Sequence, residues 1–319
     1  MSHPDYAVIG AGISGLLLAH RLQGAGASVV VLEKSRGFGG RMATRRVGEA
    51  VFDQGAQFFT VRDPAFAHEV EGWRDARLVS PWPDNPHRRL IGRPAMTAVP
   101  KALAAGLDIR REHKAVAARR QPEGTWEIEI ENHEPIRADR VLLTGPVPQS
   151  LTLLKAGGIM LPAELQASLD VLTYHPCLAL LVVLAGPSAV PAEGLALGTG
   201  PVRWVADNVK KGVAQDVPAA LTIHAAPAFS EEHYARSEAE VAALLLPSVS
   251  PWLGAPVVSA TLHRWKFSEP KVTHAERCVW LPELGLGLAG DAFGGPKVEG
   301  AALSGLALAA AVQARRPGG

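Results

Sequence analysis

An α/β fold is predicted, in which a dinucleotide-binding unit gathered from distant parts of the chain carries an inserted α+β unit on a mixed or antiparallel sheet. Three observations predict it. Residues 6–33 read as strand, glycine turn, helix and strand; residues 285–312 read as a second strand running into a small-residue helix; and the strands and helices between them carry no second glycine fingerprint.

The apolar run Tyr6 to Ile9 is short enough for a buried parallel strand, and Gly10, Gly12 and Gly15 complete G-x-G-x-x-G ahead of an apolar helix from Ile13 to about Leu22. Gly10 permits the tight turn, Gly12 lets backbone approach a pyrophosphate, and Gly15 lets helix and strand pack closely. The helix N-terminus offers that pyrophosphate unpaired N–H groups and partial positive charge. A second strand, Ser28 to Leu32, ends in Glu33, placed to accept hydrogen bonds from ribose hydroxyls and to repel a 2′-phosphate. FAD or NAD is therefore expected in this Rossmann-type unit rather than NADP.

At 319 residues the chain can hold two domains, and its 47% hydrophobic content supplies a sizeable core. Net charge is +1 with no long block of one sign, which argues against nucleic acid or an anionic membrane as partner. Cys177 and Cys278 sit in apolar runs and read as buried free thiols, not a disulfide framework or zinc site. No basic stretch precedes an apolar segment at the start, and the runs Cys177 to Ala185 and Ala301 to Val312 are too short for a bilayer, so a cytoplasmic protein is expected.

Beyond Glu33, Lys34 to Arg46 is basic and glycine-rich. Arg41 can pair with phosphate there, and a solvated loop is the other reading. In Phe52 to Thr60 the alternation is poor for a strand, but small Gly55 and Ala56 beside Gln57 and Phe58 suit a flat ring. The stretch Val61 to Pro100 loses periodicity and reads as a cap over a pocket or a surface excursion without a regular buried face. A helix comes next, from Met96 to Gly106, then an antiparallel meander (Lys114 to Arg120, Thr125 to Glu131) and a strand Arg140 to Leu143 ending at Thr144. Further helices are expected over Leu161 to Leu172 and Glu231 to Leu246, with strands Cys177 to Leu184, Val202 to Val205 and Ala219 to His224. Near the end, strand Gly285 to Ala289 runs into Gly290 and Asp291 and a helix from Val298. Asp291 can meet ribityl hydroxyls, and the N–H groups at Val298 to Ala301 can face a flavin. Such an ending favours FAD over NAD.

The segments GAGISG with Glu33, SRGFGGRM and FDQGAQFFT resemble the flavin amine oxidase superfamily, the last two most closely its renalase branch. The resemblance implies FAD contacts at Ser14, Lys34, Gly40, Arg41, Met42, Gln57 and Phe58, adenine contact near Ala115 under the Thr144 turn, and further contacts at Trp265, Gly290, Asp291, Val298, Glu299 and Ala301. For Ala115 an ordinary meander position, and for Trp265 plain core packing, stay open. Related amine oxidases carry a lysine just before the tryptophan motif; here Arg264 precedes Trp265 and Lys266 comes after it. With no cysteine in the C-terminal flavin segment, the FAD is expected to be non-covalent.

That resemblance also implies a split chain. Residues 1–60, 98–149 and 275–319 would bind FAD, while 61–97 and 150–274 would form the substrate domain. The expected activity is oxidation of isomeric dihydronicotinamides, the 2- and 6-dihydro forms of NAD(P), with hydride passing to flavin N5 and O2 reoxidising it to H2O2. Gln57, Phe58, Trp204, Asn208, His224, Trp265 and Lys297 would line the flavin face or substrate mouth. Amine oxidation and non-catalytic FAD binding are the alternatives. A monomer or dimer is expected, with no metal.

Overall fold

The structure, a computed structural model, describes residues 3–82 and 88–314. A six-stranded sheet runs in the order Val279–Leu281, Leu286–Leu288, Arg140–Leu143, Tyr6–Ile9, Val29–Glu33, Asp108–Arg111, parallel throughout except between its first two strands. Both faces are covered, which is why these strands read as continuous apolar runs. Tyr6, Val8, Val31 and Leu142 face the helices Ile13–Gly24 and Val298–Gln313. Ala7, Val30, Leu32 and Leu143 face a three-stranded meander, Ala115–Arg120, Trp126–Ile130 and His133–Ala138. The α/β class and the pairing of the two chain ends in one sheet agree with expectation.

The middle of the chain builds a five-stranded antiparallel sheet in the order Leu195–Ala196, Val202–Asp207, Ala219–Ala225, Tyr174–Leu184, Val257–Pro270. Leu178, Leu180, Val182 and Leu184 alternate onto the face that packs Val241, Leu245 and Val249 of the helix Glu238–Leu253. Ser237 and Glu240 close a capping box at that helix start.

Several expectations are corrected. Residues 61–100, of which 83–87 lie outside the described residues, do bury a regular face. The helix Pro64–Asp75, capped by Asp63, presents Phe66, Val70 and Trp73 one turn apart to a cluster with Ile13, Leu17 and Leu303. Its few but large apolar residues are diluted by charged neighbours, so the period is easy to miss. The single helix expected over Glu231 to Leu246 is two, Pro227–His233 and Glu238–Leu253, because Ser237 caps a fresh start. The helix Val147–Ala156 and the strand Ala50–Asp53 were not foreseen. Cys177 and Cys278 are free but only half-buried. Among the described residues no helix is long and apolar enough to cross a membrane, and no cluster of His, Cys, Asp and Glu could hold a metal ion.

The two glycine-containing helices touch backbone to backbone. A Cβ on Gly305 would lie 2.2 Å from the Ser14 carbonyl oxygen; within the first unit, one on Gly15 would lie 2.1 Å from the carbonyl oxygen of Gly10 in the turn before the helix. Neither backbone can yield without moving the other. Gly305→Ala should therefore cost about 1–3 kcal/mol of stability, read as a lower urea midpoint with an unchanged slope. An unchanged midpoint would show that the helices do not depend on this contact.

Candidate functional site

A cleft of about 2040 Å³ runs between the two sheets, lined by both ends of the chain and by the middle domain. That exceeds the roughly 300–1,000 Å³ of ordinary small-ligand pockets. At one end the helix Ile13–Gly24 begins at Gly12 with no side-chain cap and no acidic residue in its first turn. Its first N–H groups stay available to an anion. A Cβ on Gly12 would meet nothing within 4 Å, so this residue faces open cleft. The Thr144 hydroxyl lies 3.0 Å from the Ile9 carbonyl and 3.2 Å from that of Gly10, fixing the turn. Glu33 is buried on the lining, but its carboxylate already accepts from Ala11 N at 2.9 Å and Ser35 N at 2.8 Å. Each oxygen keeps a second lone pair for a ribose hydroxyl.

Midway along the cleft Arg41 and Asp291 form a bidentate pair: Arg41 Nη1 donates to Asp291 Oδ2 and Nη2 donates to Oδ1 at 2.8 Å. Arg41 also reaches the Ser268 carbonyl at 3.2 Å, and the Tyr174 hydroxyl donates to Asp291 Oδ1 at 3.2 Å. Burial, followed by the Asp291 charge, raises the Tyr174 pKa well above that of an ordinary phenol. Arg41 borders the cleft, as expected of a residue near the cofactor. Its guanidinium pairs with Asp291, joining the N-terminal turn to the C-terminal strand end.

The far end is built around the loop 53–58. The Gln54 carbonyl accepts from Trp265 Nε1 at 3.1 Å and lies 3.0 Å from His224 Nε2, which must carry the proton because its partner is a carbonyl. Burial pushes His224 down to about 4, and His263, in edge contact with Trp265, is likewise pushed down to about 4, mainly by burial. Both rings are neutral at neutral pH. Phe58 packs against Trp204 and Trp82, with ring centroids 5.4 and 5.8 Å away.

Beneath this loop lies a pair that the sequence does not reveal. Lys211 Nζ donates to Asp53 Oδ2 at 2.7 Å with both side chains fully buried, and Asp53 Oδ1 accepts from Thr44 Oγ1 and Met96 N. Burial lowers the Lys211 pKa, and the pairing with the Asp53 carboxylate opposes that fall. Loss of either partner would leave an uncompensated charge, at a cost of about 3–5 kcal/mol. Nothing in the run Val209-Lys210-Lys211 says which lysine turns inward; Lys210 instead binds the Ser188 and Val190 carbonyls.

Most of the sequence-selected residues meet on the lining. Gly10, Ser14, Lys34, Gly40, Met42, Ala115, Gly290, Lys297, Val298 and Ala301 all border the cleft. Glu299 does too, but its carboxylate is held by the amides of Arg62 and Asp63 at 2.6 and 2.8 Å. Two residues depart. Gly15 serves helix packing rather than the cleft wall. Asn208 is fully buried behind the wall, where its Oδ1 accepts from Asp53 N at 3.0 Å and its Nδ2 donates to Ala220 O and Thr222 Oγ1. It supports the loop instead of facing a ligand.

The site passes a simple test of fit for FAD. Buried polar atoms without a partner are costly, and Ser14 Oγ, Gln54 Oε1, Gln57 Oε1, Trp204 Nε1 and His263 Nε2 are all of this kind on cleft-lining residues. An uncapped helix start, open space at Gly12 and a ring of unpaired donors and acceptors suit a long, polar dinucleotide.

Two outcomes are expected from this geometry. Gly12→Ala has room and an extended backbone, so it should fold with wild-type stability yet purify without flavin; full flavin retention would mean that no pyrophosphate passes there. The low pKa values of His224 and His263 mean that the unfolded chain binds more protons than the folded one between pH 6.5 and about 4. Their contribution to stability is complete above pH 6.5 and is lost as pH falls toward 4. Urea midpoints at pH 7 and 4.5 should show this decline, and His224→Gln should reduce it; an unaltered slope would contradict the assignment.

Residues 79–313 match the family described as flavin containing amine oxidoreductase, and residues 8–69 match the NAD(P)-binding Rossmann-like domain. Over 53 residues, 17% of this chain, the sequence is 51% identical to a Drosophila melanogaster protein named "Possible lysine-specific histone demethylase 1", and that stretch spans 6% of the relative's length. Among solved structures, a candidate protoporphyrinogen oxidase from Exiguobacterium sp. 255-15 superposes with TM-score 0.78 at 14% identity, covering 99% of this chain and 100% of the other. Cyclohexylamine oxidase from Brevibacterium oxydans IH-35A gives 0.73 at 13% identity over 99% of this chain and 100% of its own. Wild-type putrescine oxidase bound to putrescine gives 0.68 at 16%, over 98% and 100%. At such identities the likeness is one of fold. With the family match spanning most of the chain and the cleft fitting the cofactor, this FAD-binding protein belongs to the flavin-containing amine oxidoreductase family.

Proposed function

We propose that this protein is a cytoplasmic FAD-dependent oxidase of isomeric dihydronicotinamides, the 2- and 6-dihydro forms of NAD(P), yielding NAD(P)⁺ and H2O2. The reading rests on the chemical character of the far end of the cleft, where Phe58, Trp204 and Trp265 stand beside a neutral, weakly basic His224. FAD held in the cleft would supply the two-electron redox chemistry, with O2 as the final oxidant, and the chain has only to bind the substrate and orient it. A dihydropyridine gains aromaticity on losing hydride and requires no proton acceptor. An amine arrives protonated and must lose a proton first, a task for which His224, at about 4, is poorly matched.

Each side chain then has a definite task. The aromatic walls keep water from the far end of the cleft. Gln57 Oε1 and Trp204 Nε1, both unpartnered, offer one acceptor and one donor to the carboxamide of a nicotinamide. Trp265 and His224 fix the Gln54 carbonyl, so the loop does not rearrange when substrate enters. Lys297 precedes the closing helix, whose positive end favours negative charge nearby. We assign 1–60, 98–149 and 275–319 to FAD binding and 61–97 with 150–274 to the substrate side, the helix Pro64–Asp75 packing onto the former.

A second reading, amine oxidation, draws on the family itself. Anaerobic mixing of the holoprotein with each donor separates the two. Rapid bleaching of the flavin by 1,2- or 1,6-dihydro-NAD, with ordinary NADH and primary amines slow, is the expected result. Bleaching by a primary amine alone would falsify the proposal and establish the second reading.

A further inference from the structure

The cleft wall carries several cations, and most are spoken for. Arg41 is neutralised by Asp291, Arg203 donates to Glu269 at 2.6 Å, and Arg264 is tied to the carbonyls of Tyr234 and Arg236. Arg89 differs. Its guanidinium lies 4.2 Å from the centre of the Phe58 ring and 5.0 Å from that of the Trp204 ring, and it has no ion pair among the described residues. It is half-buried on the lining, beside the two aromatic residues that border the reacting end. Burial lowers its pKa, yet an arginine stays charged at neutral pH.

A guanidinium stacked on aromatic faces is held in place, and its edge N–H groups, which have no carboxylate partner among the described residues, match the oxygens of a phosphate. Two rings fix the plane at little entropic cost, so an incoming anion need not order the side chain. The same charge repels an ammonium group.

We propose that Arg89, braced by Phe58 and Trp204, is a specificity-determining residue that binds a phosphate of the substrate and disfavours cationic substrates. The substrate's identity rests on the dihydronicotinamide reading above, but the anion subsite can be tested without turnover.

The holoprotein would be titrated with nicotinamide mononucleotide and with nicotinamide riboside, which differ only by the phosphate, monitoring the flavin absorbance. A charge-assisted bond of this kind should give the mononucleotide about a tenfold tighter Kd. That preference should vanish in Arg89→Met and survive in part in Arg89→Lys, with flavin content unchanged in both. Equal affinities in the wild type, or a preference that persists in Arg89→Met, would overturn the proposal. Should the variants lose flavin, arginine-selective dicarbonyl modification of the wild-type holoprotein with peptide mapping decides: Arg89 should be protected by the mononucleotide and not by the riboside, and lack of protection overturns the assignment. The anaerobic donor screen fails separately. No bleaching by dihydronicotinamides alongside an Arg89-dependent phosphate preference would reject the activity and leave the subsite standing.

Discussion

The architecture hinges on the contact between Arg41 and Asp291, residues at opposite ends of the chain. Arg41 sits on the short turn Gly40–Met42 downstream of the fingerprint unit, and Asp291 comes just after the strand Leu286–Leu288. Tyr174, the first residue of the long strand Tyr174–Leu184, adds its hydroxyl to the same carboxylate. Three segments remote in sequence thereby meet at one nearly buried charge on the wall of the cleft for FAD. Because the side chains are mostly withdrawn from water, neither charge can be left alone without penalty.

A second buried pair does for the far end of the cleft what this one does for the middle. Lys211 and Asp53 anchor the start of the 53–58 loop from below, while Asn208 and Thr222 bind the Asp53 backbone. Trp265 and His224 converge from above on the Gln54 carbonyl. The loop is therefore fixed at Asp53 and at Gln54 by the five-stranded sheet and by the segment that follows its strand Val202–Asp207. Such preorganisation suits a protein whose bound cofactor performs the electron chemistry, leaving the chain to position the reactants and exclude water.

What could be read from the amino acids alone was set by local order. The G-x-G-x-x-G unit, Glu33 and the closing Gly290-Asp291 segment are each contiguous and carry their physical reason with them, so the parallel sheet and the FAD end of the cleft were legible. The loop residues Gln57 and Phe58, singled out through resemblance, do border the cleft. Illegible were contacts that need the tertiary fold: the Asp53–Lys211 pair is separated by 158 residues, and a lysine gives no sign that it will be buried until its partner is known. Asn208 was misplaced for the same reason, since a polar residue near a site can as well hold the wall as face the ligand. In the Pro64–Asp75 helix, three large apolar residues at one-turn spacing were enough to bury a face despite a low apolar fraction.

The most direct measurement is a double-mutant cycle on FAD affinity, titrating flavin into apoprotein of the wild type, Arg41→Met, Asp291→Asn and the pair. Each single change should weaken binding, and the double change should cost clearly less than the sum, because either single change already breaks the contact that shapes the cleft. Strictly additive losses, or wild-type affinity in either single variant, would contradict the claim that this contact closes the two chain ends around the cofactor.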